Sequence, residues 1–100
     1  MDTQQLIDET RSRFKHQESK LYLEEKYTSQ LIFTNQGGSW TASTTIISYL
    51  KSAESTVIML DNFKNPLKVD SKELLVVMES VYNSVMNSWY EEFQKLQRYR

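Results

Sequence analysis

Hydrophobic positions fall into two long, sparse stretches of helical spacing, separated by a run of short, dense ones. Over residues 2–27 the apolar positions are Leu6, Ile7, Phe14, Leu21, Tyr22, Leu23 and Tyr27, with neither glycine nor proline between them. Ile7, Phe14 and Leu21 recur at intervals of seven, a narrow stripe on one face of a helix. Asp2 or Thr3 is the expected cap, and Asp8 and Glu9 suit the positive end of the helix dipole. Between Asp8 and Lys20 only Phe14 is apolar, so this helix needs a companion to be stable.

The middle of the chain changes period. Leu31-Ile32-Phe33, then Asn35-Gln36-Gly37-Gly38, then Trp40 and Ala42 predict a hairpin over 30–42, with the adjacent glycines at its turn. Residues 43–53 predict a short helix, capped by Ser43 or Thr44 and burying Ile46, Ile47 and Leu50. Val57-Ile58-Met59-Leu60 is a second strand-like run. Asp61-Asn62 and Asn65-Pro66 mark a loop, and Leu67 and Val69 alternate as an edge strand, which together predict a hairpin over 56–69.

From 71 to 98 the spacing is helical throughout. Leu74, Leu75, Met78, Val81, Tyr82, Val85, Trp89, Phe93 and Leu96 follow at steps of three and four, and Asp70 with Glu73 resembles a capping box. Lys95, Arg98 and Arg100 complement its C-terminal end. Such a helix is about 40 Å long, more than a globule with a radius of gyration near 13 Å covers. The two long helices therefore either pair along their length or project and pair with another copy. The expected fold is α+β. Two long helices (about 2–27 and 71–98) pack with a small antiparallel sheet of two hairpins and one short helix, in one domain over 1–100.

Composition narrows the function classes. At 39% hydrophobic and 25% charged, the 100-residue chain is globular, not disordered. A net charge of -1 provides no field to draw nucleic acid or an anionic membrane. No apolar run approaches the ~20 residues that span a bilayer, and Met1-Asp2-Thr3-Gln4-Gln5 does not read as a signal peptide. The absence of cysteine excludes disulfides and thiolate metal sites. A cytoplasmic location fits.

Candidate chemistry is sparse. His16 is the sole histidine, set among Lys15, Gln17 and Glu18, and reads as a solvated helix residue; a general base needs an orienting group and a nucleophile. The acid pairs Asp8/Glu9, Glu24/Glu25 and Glu91/Glu92 diverge by about 100° on a helix and do not enclose one substrate bond. Gly37-Gly38 belongs to no phosphate-binding motif. Arg11, Arg13, Lys15, Lys20 and Lys26 are interleaved with Glu9, Glu18, Glu24 and Glu25, which cancels most of a nucleic-acid field. No catalytic, cofactor or metal site is expected, and the chain is expected not to be an enzyme. Trp89, Tyr90, Phe93 and Tyr99 crowd the last dozen residues. They serve either as core packing against the first helix or as anchors for another subunit, since Trp and Tyr are common interface anchors. The candidate protein-interface residues are Ile7, Phe14, Leu21, Trp89, Tyr90, Phe93 and Leu96.

The stretch Val57-Ile58-Met59-Leu60-Asp61-Asn62-Phe63-Lys64-Asn65-Pro66-Leu67-Lys68-Val69-Asp70, running into Leu74-Leu75, resembles a module in small tail and tail-fibre-assembly proteins of tailed bacteriophages. Tyr22-Leu23-Glu24-Glu25-Lys26-Tyr27 through Gly37-Gly38-Ser39-Trp40 is similar to small proteins of large contractile-tailed phages, including those of cyanobacteria. Together these cover roughly residues 20–95, and residues 1–20 have no counterpart. The resemblance implies a virion component or assembly factor, located in the host cytoplasm or the virion, and brings no catalytic residues. The expected function is non-enzymatic protein–protein interaction with self-association into a homo-oligomer, and no membrane or nucleic-acid partner. The alternative is a small regulatory protein that docks on a host protein.

Overall fold

A computed structural model describes the backbone of residues 3–98 and the side chains of residues 17–97. Its elements are α1 (Thr3–Gln30), β1 (Ile32–Asn35), β2 (Gly38–Thr41), α2 (Thr44–Ser52), β3 (Thr56–Leu60), β4 (Pro66–Asp70) and α3 (Ser71–Arg98). The architecture is α+β, with three helices and two antiparallel two-stranded sheets, β1–β2 and β3–β4.

Helix α1 runs to Gln30, three residues past the end expected from the last apolar residue, Tyr27. The Thr28 and Ser29 hydroxyls donate back to the carbonyls of Glu24 (2.7 Å) and Lys26 (2.8 Å). Two residues that often break helices are thereby absorbed into the last turn. The Leu31 N–H closes that turn on the Thr28 carbonyl. The remaining shifts are small: strands at 32–41 within the expected 30–42, a helix at 44–52 within 43–53, and β4 ending at Asp70, one residue beyond 69.

The β1–β2 turn has two central residues. Asn35 faces Gly38 across the ladder, and Gln36 (φ 52°) and Gly37 (φ 82°) both lie in the left-handed region. This is the type I′ geometry whose twist matches the flanking strands. Gly38 is required for another reason: a Cβ there would stand 2.6 Å from Leu67 Cδ1 and 2.9 Å from the Trp40 ring. Trp40 is buried, and its Nε1–H donates to the Asn35 carbonyl at 2.9 Å.

The expected single sheet is instead two sheets, joined through the β3–β4 loop and the Gln36 side chain. The Ser39 N–H of β2 donates to the Asp61 carboxylate (3.2 Å), and the Ser39 carbonyl accepts from the Asn62 N–H (2.8 Å). Groups that would have bonded a neighbouring strand are thus taken by the β3–β4 loop. At the other end the Gln36 amide pairs with the Asp70 backbone: the Asp70 N–H donates to Oε1 (2.7 Å), and Nε2 donates to the Asp70 carbonyl (3.2 Å).

Asp61 organises its own loop. Only 5% exposed, it accepts from the N–H groups of Phe63 (3.0 Å) and Asn65 (2.9 Å), while its own N–H donates to the Asn65 carbonyl. Lys64 takes the left-handed conformation (φ 65°) that closes this short reversal. The Asn65 N–H above all, then those of Ser39 and Phe63, holds the Asp61 carboxyl below the usual carboxylate range, against the opposing pull of burial.

Helix α2 starts at Ser43, whose Oγ accepts from the Ile46 N–H, and buries Ile47 and Leu50. Helix α3 starts on Asp70, whose Oδ1 accepts from the N–H groups of Lys72 (3.0 Å) and Glu73 (3.1 Å). The reciprocal half of the expected capping box is replaced, because the Asp70 N–H goes to Gln36. The core gathers Leu23, Tyr27, Leu31, Trp40, Ala42, Ile47, Leu50, Val69, Leu74, Met78 and Val85. The α1–α3 pair extends beyond the hairpins, so the molecule measures 65 × 23 × 18 Å with a radius of gyration of 19.3 Å. A globule of this length has about 13 Å.

Candidate functional site

The seam between α1 and α3 is fixed by Lys26, Tyr27, Trp89 and Glu92. Tyr27 stacks on Trp89 with ring centroids 6.0 Å apart and planes 13° from parallel. Lys26 Nζ donates to Glu92 Oε1 at 2.6 Å, and the Tyr27 hydroxyl donates to the same oxygen. The Lys26 hydrogen bond, followed by that of Tyr27, holds the Glu92 carboxyl below its ordinary range. The same contact raises Lys26, and it raises Tyr27 with burial adding in the same direction. Farther along, Lys20 Nζ lies 5.9 Å from the centre of the Phe93 ring, a cation–π distance.

The candidate interface residues separate on this seam. Trp89 and Leu96 are half-buried and pack on the core of their own chain, and Phe93 is half-buried beside Lys20. Tyr90 is exposed, its hydroxyl accepting from Gln94 Nε2 at 2.8 Å. Leu21 is exposed; the α1 residues turned toward the core are Leu23 and Tyr27. The side chains of Ile7, Phe14, His16 and Tyr99, and the cap candidate Asp2, lie outside the described residues, while Thr3 is the first helical residue of α1. The acid pair Glu91/Glu92 diverges, with Glu92 on the seam and Glu91 in solvent.

Open hollows flank this seam. One is lined by Tyr90, Phe93, Gln94 and Gln97, another by Lys20, Leu23, Glu24, Trp89 and Phe93. A third, between α2 and α3, includes Ser48, Lys51, Glu79 and Tyr82, with Lys51 and Glu79 3.7 Å apart across it. Among the described residues no group of three or more His, Cys, Asp or Glu side chains stands ready to hold a metal ion. No helix among them is long and apolar enough to cross a membrane.

Exposed apolar side chains also lie away from the seam, three of them on the outer face of β3–β4 and its loop. Ile58 is 71% exposed, Leu60 59% and Phe63 74%. A two-stranded sheet packed on one side buries alternate residues, so Val57 and Met59 turn inward and Ile58 and Leu60 outward. The signal was present in the sequence. The run Val57–Leu60 is apolar without alternation, and a half-buried strand has no structural use for its outward pair. No protein-family model, curated protein or solved structure matches the chain.

Proposed function

We propose that this protein is a non-enzymatic interaction module that binds protein chains, self-associates, and serves as a structural or assembly component of a phage virion. The observation that carries the interaction reading is where the apolar surface lies. Ile58, Leu60 and Phe63 share one hairpin, and Leu21, Tyr22 and Tyr90 extend along the paired helices, all in solvent on an elongated body. Contiguous exposed apolar surface marks association sites more often than single scattered residues do. The virion role draws on the likeness of residues 20–95 to small tail and tail-assembly proteins. In this reading the long helices α1 and α3 form a projecting arm, and the hairpins form its base.

Light scattering across a concentration series tests it. The expected result is a mass that rises above 11.9 kDa with concentration. Trp89→Ala is informative because Trp89 stacks on Tyr27 of its own chain. It should cost about 2–3 kcal/mol of folding stability and leave the mass unchanged. A wild-type chain that stays monomeric at high micromolar concentration overturns self-association. A monomer that captures one host protein would favour a regulatory role.

A further inference from the structure

Two bonds set the hydrogen-bond phase of the β3–β4 ladder. The Asp61 N–H donates to the Asn65 carbonyl at one end, and the Ser71 N–H donates to the Ser55 carbonyl at the other, each at 3.0 Å. In an antiparallel ladder, bonded and non-bonded pairs alternate. With the observed register, Val57–Val69 and Met59–Leu67 are therefore the bonded pairs. Thr56, Ile58 and Leu60 turn their N–H and C=O groups away from β4, and Pro66, Lys68 and Asp70 turn theirs away from β3. The Gln36 amide confirms this phase by reaching both backbone groups of Asp70 from the far side.

The two edges are treated differently. The β4 edge has Pro66, which has no N–H, the charged Lys68, and Asp70 already occupied by Gln36. Proline, lysine and a covering group are the usual means of blunting an edge. The β3 edge has none of them. From Thr56 to Leu60 it is uncharged, free of proline and glycine, and among the described residues has β4 as its one neighbouring strand. Among the described residues, no backbone group of Thr56, Ile58 or Leu60 bonds outside the ladder.

We infer that β3 pairs edge to edge with β3 of a second copy, antiparallel about a two-fold axis at Ile58. This rests on the self-association reading above and assigns it a surface. The strand is self-complementary in this register: Thr56 meets Leu60 of the second copy, and Ile58 meets its own counterpart. All three residues then exchange N–H···O bonds, because their free groups fall on the same edge. The product is a four-stranded sheet in the order β4-β3-β3-β4, with Ile58 and Leu60 of both copies forming one apolar row on its outer face. Its charges are compatible, since the two Lys68 positions are three strand spacings apart, about 14 Å, beyond the ~8–10 Å over which exposed charges interact. A single five-residue strand edge is smaller than the ~800 Å² per partner of a standard interface. The dimer is accordingly a concentration-dependent equilibrium.

Amide hydrogen exchange on the full chain, read by NMR over a concentration series alongside sedimentation equilibrium, tests the assignment. The Thr56, Ile58 and Leu60 amides should gain protection as the dimer forms, with Val57 protected throughout by its bond to β4. Ile58→Pro removes an edge N–H without removing a β3–β4 bond, and should weaken dimerisation at least about tenfold. Should Ile58→Pro prove unfolded by circular dichroism, Leu60→Lys places a charge on the same edge and should weaken it likewise. If the wild type associates while the edge amides stay fast, or if these substitutions leave the dimerisation constant unchanged, the β3 assignment fails and self-association passes to the helices. Edge amides that stay fast in a chain monomeric at every concentration overturn the assignment and the self-association reading together, leaving the edge to a foreign strand.

Discussion

Hairpin β1–β2 buries Trp40 with Gly38 beneath its ring, whereas hairpin β3–β4, nearly the same length, leaves Ile58, Leu60 and Phe63 in solvent. Their positions account for the contrast. In β2 the inward positions are Gly38 and Trp40, a minimal and a maximal side chain that fit each other and Leu67. In β3 every position from Val57 to Leu60 is apolar, although only Val57 and Met59 face the core. Both hairpins supply core, Trp40 from one and Val69 from the other, and β1 exposes Ile32, but β3–β4 has the more apolar surface beyond what the fold uses. That surplus is the physical basis for reading β3–β4 as the interaction surface.

The sharpest test of the contrast is Trp40→Ala. Trp40 is 2% exposed, bonds the Asn35 carbonyl through Nε1 and touches the centre of the core. Its truncation should cost about 3–5 kcal/mol, read by urea denaturation. A loss below about 1 kcal/mol would show that the first hairpin does not anchor the core.

The link between the hairpins is tested next, through Asp61. Its carboxylate holds Ser39, Phe63 and Asn65 N–H groups at once, so Asp61→Asn sets an amide NH₂ against donors and should lower the melting temperature, though by less than Trp40→Ala. The pH dependence has a definite sign. Asp61 has a folded pKa below its unfolded value near 3.9, so its contribution is fully present above that value and is lost as pH falls through the folded pKa. Glu92 behaves in the same sense through Lys26 and Tyr27. Between pH ~5 and 2 the Asp61→Asn variant should therefore lose less stability than the wild type. Parallel acid limbs in thermal melts would contradict the role given to Asp61.

The two glycines separate space from conformation. Gly38→Ala drives a Cβ against Leu67 and the Trp40 ring and should cost about 1–3 kcal/mol. Gly37→Ala meets no atom within 4 Å and bears only the strain of φ 82°, about 1 kcal/mol. Equal losses at both positions would mean that the Trp40 ring yields freely.

Much of this scaffold was legible in the sequence because short-range chemistry specifies it. The glycine-bearing turn, the Ser43 and Asp70 caps and the three-and-four spacing of α3 each follow from residues within a few positions of one another. What was not legible depends on partners distant in the chain. Asp61 reads as a turn residue, and its burial depends on Ser39 arriving from the first hairpin. Gln36 reads as half of a turn, yet its amide occupies Asp70, 34 residues away. The seven-residue spacing singles out Leu21 on α1, but α3 crosses where Leu23 and Tyr27 point, and Leu21 is left in solvent. Likewise β2 and β4 both read as strands, and what keeps them from forming one sheet comes from elsewhere in the chain: Asp61 and Asn62 take Ser39, and Gln36 takes Asp70.

The smallest expected effect completes the comparison at Phe63. At 74% exposure its ring gains little from folding, and its N–H bond to Asp61 belongs to the backbone and survives substitution. Phe63→Ser should therefore change the stability of the dilute monomer by no more than about 0.5 kcal/mol. The same residue type buried in a core costs about 3–5 kcal/mol when truncated to alanine. Urea denaturation at low micromolar concentration isolates the monomer, and repeating it at high concentration adds any contribution from association. A loss above about 1 kcal/mol in the dilute sample would mean that the ring packs within its own chain. The outer face of β3–β4 would then belong to the fold, and the contrast between the two hairpins would collapse.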